Sequence, residues 1–248
     1  MIDIHSHILW GLDDGAQEYS DSLAMLAIAA QCGTTDIVAT PHSDLRFKFI
    51  PELVNHRIAQ LAAASSGVPR IHSGCDFHMS LENIQDALVF PRKYTIDGLG
   101  YLLVELADAF IPRSMDEVFR QFVRRGIVPV ITHPERNPLL QGNAARLQNW
   151  VGIGCAVQIT AQSLGDRFGK RAMLSAWRLL KEGLVHVVAS DAHDIADRPP
   201  RLDIAQKALT REMGARAAEL LVAENPAAIL IGAPIAPVAA EKRWYSFR

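Results

Sequence analysis

Five of the nine histidines in this 248-residue chain stand where a short apolar run ends. His5 and His7 close IDIHSH, His42 closes IVATPH, His133 closes VPVITH and His193 closes VVASDAH. Four carboxylates, Asp14, Asp76, Glu105 and Asp191, sit at or near junctions of the same kind. Histidines scattered through a core would not keep step with strand ends. The runs themselves alternate with helical patterns, the mark of parallel βαβ units. In a barrel of such units the reactive groups gather on the face made by the loops after the strands. The pattern therefore predicts an α/β barrel with one metal-lined pocket at its carboxyl face.

Seven buried strands are expected near Ile2 to Ile4, Asp36 to Thr40, Arg70 to Gly74, Leu102 to Leu106, Val128 to Thr132, Cys155 to Thr160 and Val185 to Ala189, all short and rich in Val, Ile and Leu. Helical spacing runs over Asp21 to Cys32, Pro51 to Ala64, Leu81 to Val89, Ser114 to Arg125, Ala144 to Val151 and Lys170 to Glu182. Gly33, Gly126 and Gly183 follow three of these as C-terminal caps. Two further helices are expected near Leu202 to Met213 and Ala215 to Ala223. The length suits one barrel, since such barrels commonly occupy about 250 residues. Residues 1–248 thus read as a single domain, with 241–248 an irregular tail.

Composition narrows the function classes. A net charge of −2 predicts neither nucleic-acid binding nor attraction to a membrane surface. The longest apolar stretch, around Ala227 to Ala240, holds Pro234 and Pro237 and is shorter than the roughly 20 residues a spanning helix needs. Met1 leads directly into the first strand, so a cytoplasmic protein is expected. Cys32, Cys75 and Cys155 lie far apart without CxxC spacing, which suits small core residues rather than disulfides or a thiolate metal site. The sequence leaves the oligomeric state open.

Side chains two apart at a strand end point to the same face, so HxH at His5 and His7, and DxH at Asp191 and His193, can each serve one cluster. Asp14 enters from the loop after the first strand. Taken singly, a buried histidine is more often a hydrogen-bonded core residue than a ligand. Eight or nine polar groups at barrel strand ends would each need a partner to offset desolvation, and a shared metal site supplies one.

At this point the chain resembles the PHP (polymerase and histidinol phosphatase) superfamily, and within it the capsule-type (CpsB/CapC-like) metal-dependent bacterial tyrosine phosphatases. The resemblance rests on DIHSHILWGLDDGA, ATPH, GCDFH, LLVEL, THPERN, ASDAH and ENPAAIL, in that order. It implies a distorted seven-stranded, TIM-like (β/α)7 barrel with a trinuclear site. On that likeness His5, His7, Asp76 and Asp191 would hold one ion, Asp76, Glu105 and His133 a second, and Asp14, His42 and His193 a third, with Asp76 as the bridge. The bridging position is often Glu in the family, and Trp10 stands where the opening motif usually has Pro.

Three divalent ions against four carboxylates leave about two positive charges, which suits a phosphate ester. Imidazoles and carboxylates without thiolates suit Mn²⁺, Fe or Zn²⁺, and the resemblance favours Mn²⁺. A metal-bound hydroxide would then attack phosphorus in line. Asp191, His193 or a water would serve as the acid for the departing phenol, and Arg136 as a bidentate phosphate clamp. The bland alternative for Arg136 is a loop arginine paired with Glu135. Arg46 and Lys48, alternating with Phe47 and Phe49, could flank a phosphotyrosine ring or simply form a loop. Phe77, His78 and Phe110 neighbour ligand positions and could shape the mouth, whereas His56, His72 and His186 read as structural. No cysteine is followed, six positions on, by arginine: Val38, Leu81 and Ala161 stand there instead. Phosphotyrosine hydrolysis would therefore have to be metal-driven. The resemblance implies a bacterial tyrosine kinase tail as partner, in exopolysaccharide or capsule regulation. Three alternatives remain open: a histidinol-phosphate or other small-ester phosphatase, a metal-dependent amidohydrolase, and a non-catalytic metal-binding regulator.

Overall fold

A computed structural model of the chain describes residues 1–65 and 67–238, so the expected tail over 241–248 lies outside the described residues. Strands and helices alternate through β1 (Ile2–Ser6), α1 (Tyr19–Gln31), β2 (Asp36–Ala39), β3 (His42–Ser43), α2 (Pro51–Ala64), β4 (Arg70–Ser73), β5 (Asp76–His78) and α3 (Leu81–Val89). Then follow β6 (Tyr101–Glu105), α4 (Met115–Arg124), β7 (Val128–Thr132), α5 (Ala144–Ile153), β8 (Ala156–Thr160), α6 (Gly169–Lys181) and β9 (Val187–Ala189). Three helices close the order: α7 (Asp203–Met213), α8 (Ala215–Glu219) and α9 (Asn225–Leu230), with a π-helical turn at Leu220–Glu224 between the last two.

All strand pairings are parallel, as expected, but the described residues form nine short strands in two sheets rather than seven in one ring. The orders are β1-β2-β4 and β3-β5-β6-β7-β8-β9. The expected second and third strands, Asp36 to Thr40 and Arg70 to Gly74, are present as β2 and β4, and each is followed by a short further strand, β3 or β5, that was not expected. Pro41, which cannot donate to a ladder, separates β2 from β3, and Gly74 with Cys75 separates β4 from β5. The backbone nevertheless runs on across both breaks: Gly74 N donates to Ala39 O (2.9 Å) and Asp76 N to Pro41 O (3.1 Å). Beyond β9 the chain returns to β1, where Asp191 N donates to His5 O (2.9 Å) and His7 N to Ala192 O (2.8 Å).

Strand alternation builds two apolar layers. Ile4, Val38, Leu103, Val130, Ala156, Val187 and Ala189 share one buried cluster. Ile37, Leu102, Val104, Ile131, Val157 and Val188 join a larger one that includes the helix residues. Glu105 therefore shares the face of Leu103, and Gln158 that of Ala156. Helix α4 shows why such segments are helical: Met115, Phe119 and Phe122 are buried at i, i+4 and i+7, while Glu117, Arg120 and Arg124 face solvent. Acidic residues in its first turn and Arg124 in its last complement the helix dipole.

The loop from β1 to α1 folds tightly back on the strand, with Ala16 N donating to His7 O (3.1 Å). Only glycine fits at position 15: an added Cβ would lie 2.2 Å from His7 O and 2.4 Å from His7 Cβ. Gly15→Ala is expected to cost about 1–3 kcal/mol through forced displacement of backbone and to displace the His7 side chain. Denaturant unfolding together with metal titration checks this, and an unchanged midpoint with unchanged metal uptake would count against so tight a contact.

Candidate metal centre

All nine candidate ligands come to the same end of the parallel strands. His5 lies near the end of β1 and His7 just beyond it, His42 opens β3, Asp76 opens β5 and Glu105 ends β6; His133 follows β7, and Asp191 and His193 follow β9. Asp14 comes from the loop before α1. His133 (φ 34°) and Asp191 (φ 52°) are non-glycine residues with left-handed backbone, a conformation that surrounding structure must enforce. The sharp turn there redirects both side chains at the moment the strand ends.

Seven of the nine fall into three groups whose donor atoms lie within 4.8 Å of one another. These are His7, Asp14, His42 and His193; His5, His7 and Asp76; and His42, Asp76 and Glu105. Each pair of groups shares one residue: His7, Asp76 or His42. The implied arrangement had Asp76 alone shared, with Asp191 and His133 in the first two sets. Instead Asp191 Oδ1 stands 3.4 Å from Nε2 of both His5 and His7, and His133 Nε2 stands 3.8 Å from Glu105 Oε1.

The imidazoles of His5, His7 and His193 are held through Nδ1, which leaves Nε2 turned toward the cluster. His7 Nδ1 is 2.6 Å from Asp13 Oδ2, and His5 Nδ1 is 2.9 Å from Gln158 Oε1. His193 Nδ1 is 3.0 Å from Asp191 O. A histidine ligand commonly gives its second nitrogen to a carboxylate or carbonyl in this way, fixing tautomer and ring orientation. Asp13 also accepts from Gly15 N (2.9 Å) and His42 N (3.0 Å), so one buried carboxylate ties together two candidate ligands and the loop.

Asp76 gives the test of whether metals suit the site. It is fully buried, yet neither of its carboxylate oxygens accepts a hydrogen bond, and His42 Nδ1 is likewise buried without a hydrogen-bond partner. Unpartnered buried oxygens facing imidazole nitrogens are the donor set divalent ions require, and the residues fit such a group.

Charge divides the pocket. Burial alone would lower His42 and His7, but Asp14 and Asp76 outweigh it and raise His42 to about 11, and Asp13 raises His7 to about 9. Burial, reinforced by Asp76, lifts Glu105 to about 7. On the other side, burial and the nearby Arg136 push His133 down to about 3, while burial and His7 do the same to His193. Burial opposes ionisation of Asp191, but the surrounding His5, His7 and Arg136 hold its carboxyl well below the usual range.

Arg136 donates to Asp191 Oδ2, not to Glu135, which is buried and accepts from Thr160 N (2.9 Å) and Ser163 Oγ (2.7 Å). The surface-loop alternative for Arg136 is thus not the arrangement found. A second guanidinium, Arg198, reaches the same Asp191 oxygen at 2.5 Å. Sequence reading missed Arg198, as it missed Asp13 and Gln158. Two signals were available: a polar residue inside the apolar run AVQIT, and an aspartate doublet at 13–14.

The remaining candidates are dispersed. Phe47 stacks beside His42 (6.3 Å, 16°) under the Arg46 guanidinium, whereas Phe49 is buried against Tyr94. Lys48 is exposed, Phe77 buried, His78 half-buried and Phe110 exposed. Trp10 is packed between Arg57, 4.0 Å above its ring, and the edge of Tyr19. His56 is exposed on α2, His72 pairs with Asp36 and Asp97, and His186 Nδ1 accepts from Val157 N. Cys75 and Cys155 are buried, Cys32 half-buried, and all three are free thiols.

Because His7 and His42 hold protons near neutrality until an ion displaces them, metal uptake must release protons. Calorimetric Mn²⁺ titration at pH 7.5 in two buffers of different ionisation enthalpy should show release of about two protons per chain and affinity that rises with pH. Buffer-independent heats would rule out that protonation pattern.

Residues 1–231 match the family described as "Capsular polysaccharide synthesis, CpsB/CapC". Tyrosine-protein phosphatase YwqE of Bacillus subtilis is 34% identical over 234 residues, covering 93% of this chain and 91% of the relative. Tyrosine-protein phosphatase CpsB of Streptococcus pneumoniae is 30% identical over 243 residues, covering 93% and 98%. A crystal structure from work on YwqE and CpsB, described there as unique metal-dependent tyrosine phosphatases, superposes with a TM-score of 0.88 at 33% identity, covering 98% of this chain and all of that one. Sequence match, shared architecture and the site itself agree: the chain belongs to the CpsB/CapC family.

Proposed function

We propose that the chain is a metal-dependent protein-tyrosine phosphatase. The observation that carries this reading is the pairing of two features in one pocket: overlapping groups of imidazole and carboxylate donors, and two guanidiniums converging beside them on Asp191. The likeness to phosphatases at 30% identity and above supports the same chemistry. Three divalent ions, Mn²⁺ by preference, are assigned to the three groups, with Asp191 and His133 completing their surroundings. When bound, these ions supply an activated hydroxide nucleophile and neutralise charge on the phosphoryl oxygens.

The chain's own residues do the rest. Asp13 and Gln158 orient His7 and His5, so that ligand nitrogens are presented without rotamer search. Arg136 and Arg198 bind the equatorial phosphate oxygens, exchanging the Asp191 carboxylate for the substrate anion. Asp191 is held ionised and His193 neutral, so neither is suited to deliver a proton; a phenol with pKa about 10 leaves with protonation from water. Phe47 beside His42 offers a face to the departing aryl ring.

The two sheets are read as one distorted seven-stranded barrel, a view supported by the bonds that carry the chain across Pro41 and Gly74 and from Asp191 back to β1. We read the chain as a cytoplasmic enzyme acting on a bacterial tyrosine kinase tail in capsule or exopolysaccharide control; the family's description, capsular polysaccharide synthesis, supports the capsule part of that reading. No helix among the described residues is long and apolar enough to cross a membrane.

Chelation should abolish phosphotyrosine-peptide turnover while thiol alkylation leaves it intact, since burial raises the Cys75 and Cys155 thiols and keeps them inert. Asp191→Ala should lose metal and rate together. Arg136→Ala and Arg198→Ala should keep metal and raise KM about 10- to 100-fold, the range for losing a charged hydrogen bond. Full activity after complete metal removal, or normal turnover by all three variants, would overturn the mechanism. Comparing kcat/KM on phosphotyrosine peptide and histidinol phosphate separates this substrate from a small ester.

A further inference from the structure

We propose that Phe168 is a positioning residue, a shelf whose ring holds the guanidiniums of Arg136 and Arg198 side by side and so sets the affinity of the site for a phosphate anion. The inference rests on the phosphate-binding role given above to the two arginines.

Three successive strand-end loops meet here. Arg136 follows β7, Phe168 lies between β8 and α6, and Arg198 follows β9. The Arg136 guanidinium carbon stands 4.3 Å from the Phe168 ring centroid and that of Arg198 stands 5.8 Å from it, both within cation–π range. Both arginines also donate to one atom, Asp191 Oδ2, and Arg136 Nη1 lies 3.4 Å from Thr160 Oγ1. Two like charges drawn to a single oxygen repel one another. The negative face of an aromatic ring offsets part of that repulsion without competing for the hydrogen bonds that a phosphate must receive.

Phe168 has no evident packing duty. It is half-buried, it follows the exposed stretch Gly165 to Arg167, and it belongs to neither of the apolar clusters among the described residues. A phenylalanine left out of the core, with two half-buried cations over its face, is better explained by those cations than by burial of its own surface. Without the ring each long side chain would regain rotamers, and the ordering cost would fall on substrate binding.

The test uses metal-loaded full-length protein carrying Phe168→Ala, Phe168→Leu or Phe168→Tyr. Orthophosphate affinity is measured by calorimetry, phosphotyrosine-peptide kcat and KM by assay, and metal content and thermal unfolding are measured alongside. The Leu variant keeps apolar bulk but loses the ring face; the Tyr variant keeps the face. In Phe168→Ala and Phe168→Leu, the orthophosphate Kd and the peptide KM are expected to rise about tenfold, with kcat within about twofold and metal content unchanged. Phe168→Tyr should match wild type. The same ranking of orthophosphate Kd in a protein that fails to hydrolyse the peptide would uphold the shelf and sink the phosphatase reading instead. Phe168→Leu binding orthophosphate like wild type, or wild type failing to bind it at all, overturns the proposal.

Discussion

A carboxylate with both oxygens buried and neither hydrogen-bonded must be surrounded by positive charge, and Asp76 is such a group. Its removal from water costs several kcal/mol unless cations compensate. The sheet supplies the compensation by register. In the β3–β5 ladder His42 stands directly opposite Asp76, and in the β5–β6 ladder His78 stands opposite Glu105. His42 Nδ1 comes to 3.3 Å and His5 Nε2 to 3.4 Å from the same Asp76 oxygen. The breaks at Pro41 and Gly74 set apart the short strands that carry His42 and Asp76. Fold and site are thus one problem, because the strand ends that interrupt regular pairing are the places where ligand donors can converge.

The electrostatic layout follows from that arrangement. Groups near Asp76, Asp13 and Asp14 gain protons more readily, as His42 and His7 show; His133, near Arg136, and His193, beside His7 and Arg198, lose them. The pocket has an acidic side suited to cations and a basic side suited to an anion. Asp191 sits at the seam, one oxygen toward His5 and His7, the other held by two guanidiniums. A phosphate ester bridging the seam would meet positive charge from both directions, which is the condition for stabilising a transferring phosphoryl group.

Much of this was legible in the chain. Val128–Thr132, Pro51–Ala64 and Leu81–Val89 have the expected limits, because apolar runs and helical periodicity there are bounded by clear signals. The strand-end rule pointed to eight of the nine candidates, with Asp14 entering from a loop, and seven of the nine have donor atoms close enough to form groups. Grouping was harder. Whether Asp76 neighbours His42 or His133 depends on ladder register, which no local pattern encodes. The two short strands beyond Pro41 and Gly74, β3 and β5, were also missed, because two or three residues carry no alternation to read. Asp13 and Gln158 eluded reading for another reason: their work is to orient ligands, and the motif that marks a ligand does not mark its support. Arg198 and Phe168 became significant only once three separate loops were seen to meet.

The most direct test is anomalous diffraction at the manganese edge from crystals grown with Mn²⁺ and shown by assay of dissolved crystals to be active. The account predicts three peaks, one within each of the donor groups built on His7, Asp76 and His42. Active crystals without anomalous density among those imidazoles and carboxylates would contradict it.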